Sequence, residues 1–142
     1  MSYVTLTGPQ TTTIIASFSV PANAAAGSLI AGNLTFSTFT PPQSVIVVPS
    51  TEVWSIIDIH TIGSVTPDAM LVIYINGRPQ DTMPNLNSLN LNLLTRFKLA
   101  EAIKLAPTFT FNVAISLLAA NGASAQTYYV YFSVVRAPFV AK

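Results

Sequence analysis

His60 is the single histidine of the chain, and it stands two residues from Asp58 in VWSIIDIHTIG. On an extended strand, positions two apart face the same way, so Glu52, Asp58 and His60 share one face. A carboxylate beside an imidazole can act as an acid–base pair, and the same side chains ligate metals. The residues around them complete neither chemistry. Zinc takes three or more protein ligands, and the chain has no cysteine and no second histidine. A general base needs an orienting group and a substrate cleft. The expectation for His60 is a hydrogen-bonded side chain at an interface or a sheet end. The other acids, Asp68, Asp81 and Glu101, are spread along the sequence, and no spacing marks a glycosidase-type pair. GxSxG, Walker, GxGxxG and HExxH patterns are absent. We therefore expect no catalytic, cofactor-binding or metal-ligating residue, no cofactor, and no enzyme.

Two further groups carry potential chemistry. Asn33-Leu34-Thr35 matches an N-glycosylation acceptor. The triplet is common by chance and falls in a predicted strand, so an unmodified asparagine is the simpler expectation. Tyr128, Tyr129, Tyr131 and Phe132 place rings on both faces of the last predicted strand. They can stack on a sugar, but core and subunit contacts are the commoner use of such rings.

These side chains must be positioned by strands. Residues 108–118, TFTFNVAISLL, alternate: Phe109, Phe111, Val113, Ile115 and Leu117 on one side, Thr108, Thr110, Asn112, Ala114 and Ser116 on the other. A period of two marks a strand with one buried face. Residues 126–136 read the same way, and the Asn121–Gly122 turn signal between them predicts a central antiparallel pair. Residues 11–20 form a strand with Ile14, Ala16, Phe18 and Val20 inward. Residues 22–27 are a loop. Residues 28–40 read as one strand, with Ile30, Leu34 and Phe36 inward and a bulge at Gly32. Residues 44–48 are a short apolar strand. Residues 52–62 and 69–76 carry large apolar groups on both faces, so both faces should be covered. Asn76–Gly77 is a hairpin turn signal. Residues 81–92 read as a loop packing its leucines, and 93–105 as two short strands kinked near Ala100–Glu101. Eight or so strands at about 10–15-residue spacing predict an all-β antiparallel sandwich, a single jelly roll. An arm or edge strand over 1–10 precedes the domain at 11–136, and a tail over 137–142 follows.

Composition narrows the function. The chain has 142 residues, enough for one domain with a real core. Only 8% are charged, while 51% are hydrophobic. Soluble domains carry roughly 25% charged residues. No apolar run reaches the ~18–20 residues of a membrane span. A small transmembrane barrel is a minor alternative, poorly served by ten prolines and short strands. The better account is a surface covered by copies of itself or by partners, since so few charges leave apolar patches. Net charge is +1 and the cations Arg78, Arg96, Lys98, Lys104, Arg136 and Lys142 are scattered. Direct nucleic-acid binding is not expected. The N-terminus MSYVTLTGPQ shows no basic segment leading into an apolar one, so no secretory signal is expected and synthesis is expected in the cytoplasm.

The order SVIVVPS, VWSIIDIHTIG, YINGRP, RFKLAEAIKLAP, TFTFNVAIS and YYVYFSVV resembles single jelly-roll capsid subunits of viruses. The low charge, the missing cysteine and the abundance of Thr, Ala and Ile resemble coat proteins of archaeal viruses, the portogloboviruses foremost. The resemblance covers residues 44–136. It implies a structural virion protein that self-assembles into pentamers or hexamers of an icosahedral double-stranded DNA virus shell. Its partners would be copies of itself and other capsid proteins, and its host cell's cytoplasm would be the place of synthesis. No Lys or Arg precedes Arg78, unlike the basic arms of many icosahedral RNA viruses. An internal membrane or internal virion proteins would then face the genome. Alternatives are an attachment, spike or carbohydrate-binding jelly-roll module, or a subunit of a β-rich filament.

Overall fold

The computed structural model describes residues 8–36, 42–61, 68–80 and 98–139, with residues 98–101 as backbone. Among these the chain is all-β, with ten strands and no helix. They are β1 (Gln10–Val20), β2 (Leu29–Ala31), β3 (Asn33–Thr35), β4 (Ile46–Val47), β5 (Glu52–Thr61), β6 (Ala69–Ile75), β7 (Arg78–Pro79), β8 (Lys98–Leu105), β9 (Thr110–Leu117) and β10 (Gln126–Pro138). Two antiparallel sheets of five strands pack face to face as a sandwich. The first has the order β3-β1-β10-β5-β8; the second runs β2-β9-β6-β7, with β4 also on β9.

The pairing is nested. β1 pairs with β10, β2 with β9, β5 with β8, and β6 with β7. A long antiparallel hairpin rolled on itself gives this order, with its outer pairs split between the sheets; this is the jelly-roll connection. The expected fold class therefore holds. The described strands make two open sheets around a filled interior, and no described helix is long and apolar enough to cross a membrane.

The alternation of β1 is realised as read: Ile14, Ala16, Phe18 and Val20 are buried. Opposite them lie Phe132, Val130 and Tyr128 of β10, and the second sheet adds Leu71, Ile73, Phe111, Val113 and Ile115. Phe111 meets Phe132 across the sandwich edge to face, with centroids 5.5 Å apart, the arrangement that ring quadrupoles favour.

Three expectations are corrected. First, β9 and β10 are not a pair. β9 lies between β2 and β6 in the second sheet, and β10 lies between β1 and β5 in the first. The Asn121–Gly122 stretch closes no tight hairpin. The Asn121 side chain donates to Pro21 O (2.8 Å) and Ser124 O (3.2 Å), and Asn121 N–H donates to Ala24 O at 2.8 Å. The connection is thus tied to the loop after β1 instead of folding back on itself.

Second, residues 28–40 are not one strand. The chain leaves the second sheet after β2 and enters the first at β3, with Gly32 at the crossing. A Cβ there would stand 2.7 Å from Phe18 Cε1 and 3.0 Å from Val113 Cγ2. Glycine is needed because the backbone passes directly over the core.

Third, β5 does not have two alternating apolar faces. Its register with β10 shifts between Ser133 and Val134, leaving Ile57 as the extra residue of a bulge. Before the bulge, Trp54 and Ile56 point inward; after it, Ile59 and Thr61 do, facing Phe132 and Val130. Asp58 and His60 are thereby turned onto the outer face.

Elsewhere the reading and the structure agree more closely. The Asn76–Gly77 turn forms with φ of 53° and 77°, joining β6 to β7. The two short strands expected over 93–105 are not seen among the described residues: 98–105 is one strand, β8, whose register with β5 shifts between Lys98 and Ile103, around the expected kink. β1 begins at Gln10 and β10 runs to Pro138, slightly beyond the boundaries read from sequence. The loop at 81–92, residues 37–41, 62–67 and 93–97, most of the N-terminal arm and the end of the tail lie outside the described residues.

Candidate functional site

β5 carries three of the sequence-singled residues, and the bulge divides them. Glu52 and Trp54 lie on the inner face at one end of the sandwich, where Arg136 arrives from β10 opposite Trp54. Arg136 has the same parity as Val130, Phe132 and Val134, so its stem runs along the core wall. Its Nε donates to Glu52 Oε1 at 2.8 Å and its Nη2 to Glu52 Oε2 at 3.1 Å. Trp54 Nε1 also donates to Glu52 Oε1, at 2.9 Å. The guanidinium stands 5.5 Å from the Trp54 ring centroid, and Phe36 tilts against that ring at 6.2 Å. The Glu52 side chain is 2% exposed and that of Arg136 11%. A buried carboxylate is tolerated only when it is paired and hydrogen-bonded; here a fork of two bonds and an indole N–H meet it. This cluster closes the end of the core. Sequence reading counted Arg136 among scattered cations. The signal it missed was parity: a charged residue continuing a core-facing series needs a partner.

Asp58 and His60 are on the opposite face of the same strand. His60 faces Tyr131 of β10 and stacks on its ring, with centroids 5.4 Å apart and planes 8° from parallel. Asp58 faces Ser133. Both are buried. Glu52 is therefore not their partner, although the strand period had placed the three together. Among the described residues no group of three His, Cys, Asp or Glu side chains could hold a metal ion.

The outer faces of the two sheets complete the surface inventory. On the second sheet, Leu29, Ser116 and Met70 form one cross-strand row, and Ala31, Ala114 and Val72 the next. Asn112 with Tyr74, and Val47 with Thr110, follow. None of these strand residues is charged; Asp68 stands just before β6, at the end of the face. Leu29 is 59% exposed, Val47 52% and Leu118 51%. On the first sheet the outer face is hydroxyl-rich: Thr11, Thr13, Ser17 and Ser19 from β1, Tyr129, Tyr131 and Ser133 from β10. Asp58, His60 and Lys104 add ionisable groups. Tyr128 packs against the core and Phe132 is inside it, whereas Tyr129 is exposed. The four rings therefore serve different surfaces and do not form one stacking site. Asn33 is exposed at the edge of this face.

No protein-family model matches the chain, and no curated protein matches it.

Proposed function

We propose that this chain is a structural protein of a virion, a jelly-roll capsid subunit that assembles with copies of itself into pentamers or hexamers of an icosahedral shell. The observation that carries this reading is the outer face of the second sheet. It presents no charged strand residue among those described, and Leu29, Val47 and Leu118 stand exposed along its margin. Ala114 and Val72 in the middle of this face are already buried; the exposed side chains at its margin gain free energy when a neighbour covers them, at about 25 cal/mol per Å² of apolar area. The low overall charge and the resemblance to portoglobovirus coat proteins point the same way. Partners in this reading are other subunits, other capsid proteins and an internal membrane or internal virion protein, and the place of action is the virion. The chain makes no direct contact with nucleic acid and carries out no catalysis.

Light scattering after size exclusion, over a concentration series and with electron microscopy of the same fractions, tests the proposal. Pentamers, hexamers, sheets or closed shells are the expected result. A monomer or trimer at every concentration would overturn it and favour an attachment module.

A further inference from the structure

We propose that Asn33 is an N-glycosylation site, and that its glycan lies on the outer face of the first sheet. The triplet Asn33-Leu34-Thr35 coincides with β3, the edge strand of that sheet. Leu34 points into the core and is 1% exposed. Asn33 and Thr35 therefore both face outward, as residues two apart on a strand must. Asn33 is exposed, and Thr35 is half-buried beside Ile15. The acceptor amide and the hydroxyl that defines the triplet thus share one accessible side of an extended segment. The inward leucine keeps that segment anchored.

A second feature of the same face points to a sugar. Asn33 lies opposite Ser17 of β1, and Ser17 lies opposite Tyr129 of β10. The row reads amide, small hydroxyl, exposed phenol. With strands about 4.8 Å apart, Tyr129 stands roughly 10 Å from Asn33 across a residue too small to intervene. A glycan leaving Asn33 along this row would cross Ser17 and reach the Tyr129 ring. The next row outward, Ser19 opposite Thr127, is also uncharged and exposed. A neutral, hydroxyl-lined surface with one exposed aromatic ring suits a neutral carbohydrate.

The transfer balances simply. Asn33 Nδ2 forms a bond to the anomeric carbon of a polyprenyl-pyrophosphate-linked oligosaccharide. The anomeric C–O bond breaks, the polyprenyl pyrophosphate leaves with the electron pair, and the amide proton passes to a base of the transferase. The proposal requires that the chain meet that donor on the far side of a membrane, and so that it leave the cytoplasm expected as its place of synthesis. It does not rest on assembly, because protein produced without any glycan can still be tested for shell formation.

The experiment expresses the full chain through the secretory route of a eukaryotic cell and maps Asn33 by mass spectrometry of chymotryptic peptides, alongside protein from its natural source. The expected result is hexose-containing mass increments on Asn33 in both samples. They are lost in Asn33→Gln and Thr35→Val and retained in Thr35→Ser. An unmodified Asn33 in either wild-type sample would overturn the proposal, as would increments that persist in Asn33→Gln.

Discussion

The outer faces of the two sheets back the same core yet are built differently. On the second sheet the rows Leu29–Ser116–Met70 and Ala31–Ala114–Val72 are apolar or small, and the exposed members are hydrocarbon. On the first sheet the rows Asn33–Ser17–Tyr129 and Thr35–Ile15–Tyr131–His60 are rich in hydroxyl, amide and ring groups. Buried polar groups there have specific neighbours, as His60 has in the Tyr131 ring. A face of the first kind is improved by a protein neighbour that removes it from water. A face of the second kind is stable against water as it stands. In the proposed capsid reading this difference puts subunit contact on the second sheet and turns the first outward.

Charging the second face should break the comparison most sharply. Leu29→Lys with Val47→Lys removes two apolar contacts worth ~1.5–3 kcal/mol each when buried. Assembly should then need at least about a hundredfold more protein, read by light scattering. Folding of the monomer should change little, because both positions are exposed. Tyr129→Lys, on the other sheet, should leave assembly unchanged.

The next largest effect belongs to the closed end of the core. Glu52→Ala leaves the Arg136 guanidinium and the Trp54 indole N–H without their acceptor. Stability should fall by about 3–5 kcal/mol in denaturant unfolding, and both faces should be lost together. Glu52→Leu combined with Arg136→Met should recover most of that loss, since a well-packed apolar pair can replace a buried ion pair.

Gly32→Ala comes third. Its Cβ would meet Phe18 at 2.7 Å, and overpacking of this kind costs ~1–3 kcal/mol. Because the crossing joins β2 to β3, the fall in melting temperature should accompany loosening at the margins of both sheets, detectable by hydrogen exchange at Leu29 and Asn33.

The smallest effects are gains. Thr108 has φ of 69° between β8 and β9, a conformation strained for a β-branched residue. Thr108→Gly should raise stability by up to about 1 kcal/mol despite glycine's entropy. Thr61 is 1% exposed on the inner face, and its Oγ1 meets no hydrogen-bond partner among the described residues. Thr61→Val should be neutral or stabilising by ~1 kcal/mol in the same assay.

Much of the fold was legible because period two survives wherever one face is buried. β1 shows this from Ile14 to Val20, and β9 and β10 show it as clearly. Partner choice was not legible. The alternation of β9 and β10 is satisfied equally by pairing with each other or by sitting at the centres of different sheets, and the docking of Asn121 on residues 21–24 accompanies the second arrangement. The bulge was hidden for a related reason. Trp54, Ile56, Ile57 and Ile59 together look like two apolar faces, whereas Ile57 is the extra, exposed residue and the other three make a single face with a step. That step also separates Glu52 from Asp58 and His60, which the unbroken period had grouped. The Glu52–Arg136 pair joins residues 84 apart in sequence, a contact that local patterning does not carry.

The chain has no cysteine, so a single introduced thiol reports on its own position. The most direct test of the central claim places one at Leu29→Cys and, separately, at Tyr129→Cys, and follows maleimide labelling before and after assembly. The account predicts that the thiol at position 29 is reactive in the dilute subunit and protected in the assembled fraction, while the one at position 129 stays reactive in both. Protection at 129 with continued labelling at 29, or no assembled fraction at any concentration, would contradict it.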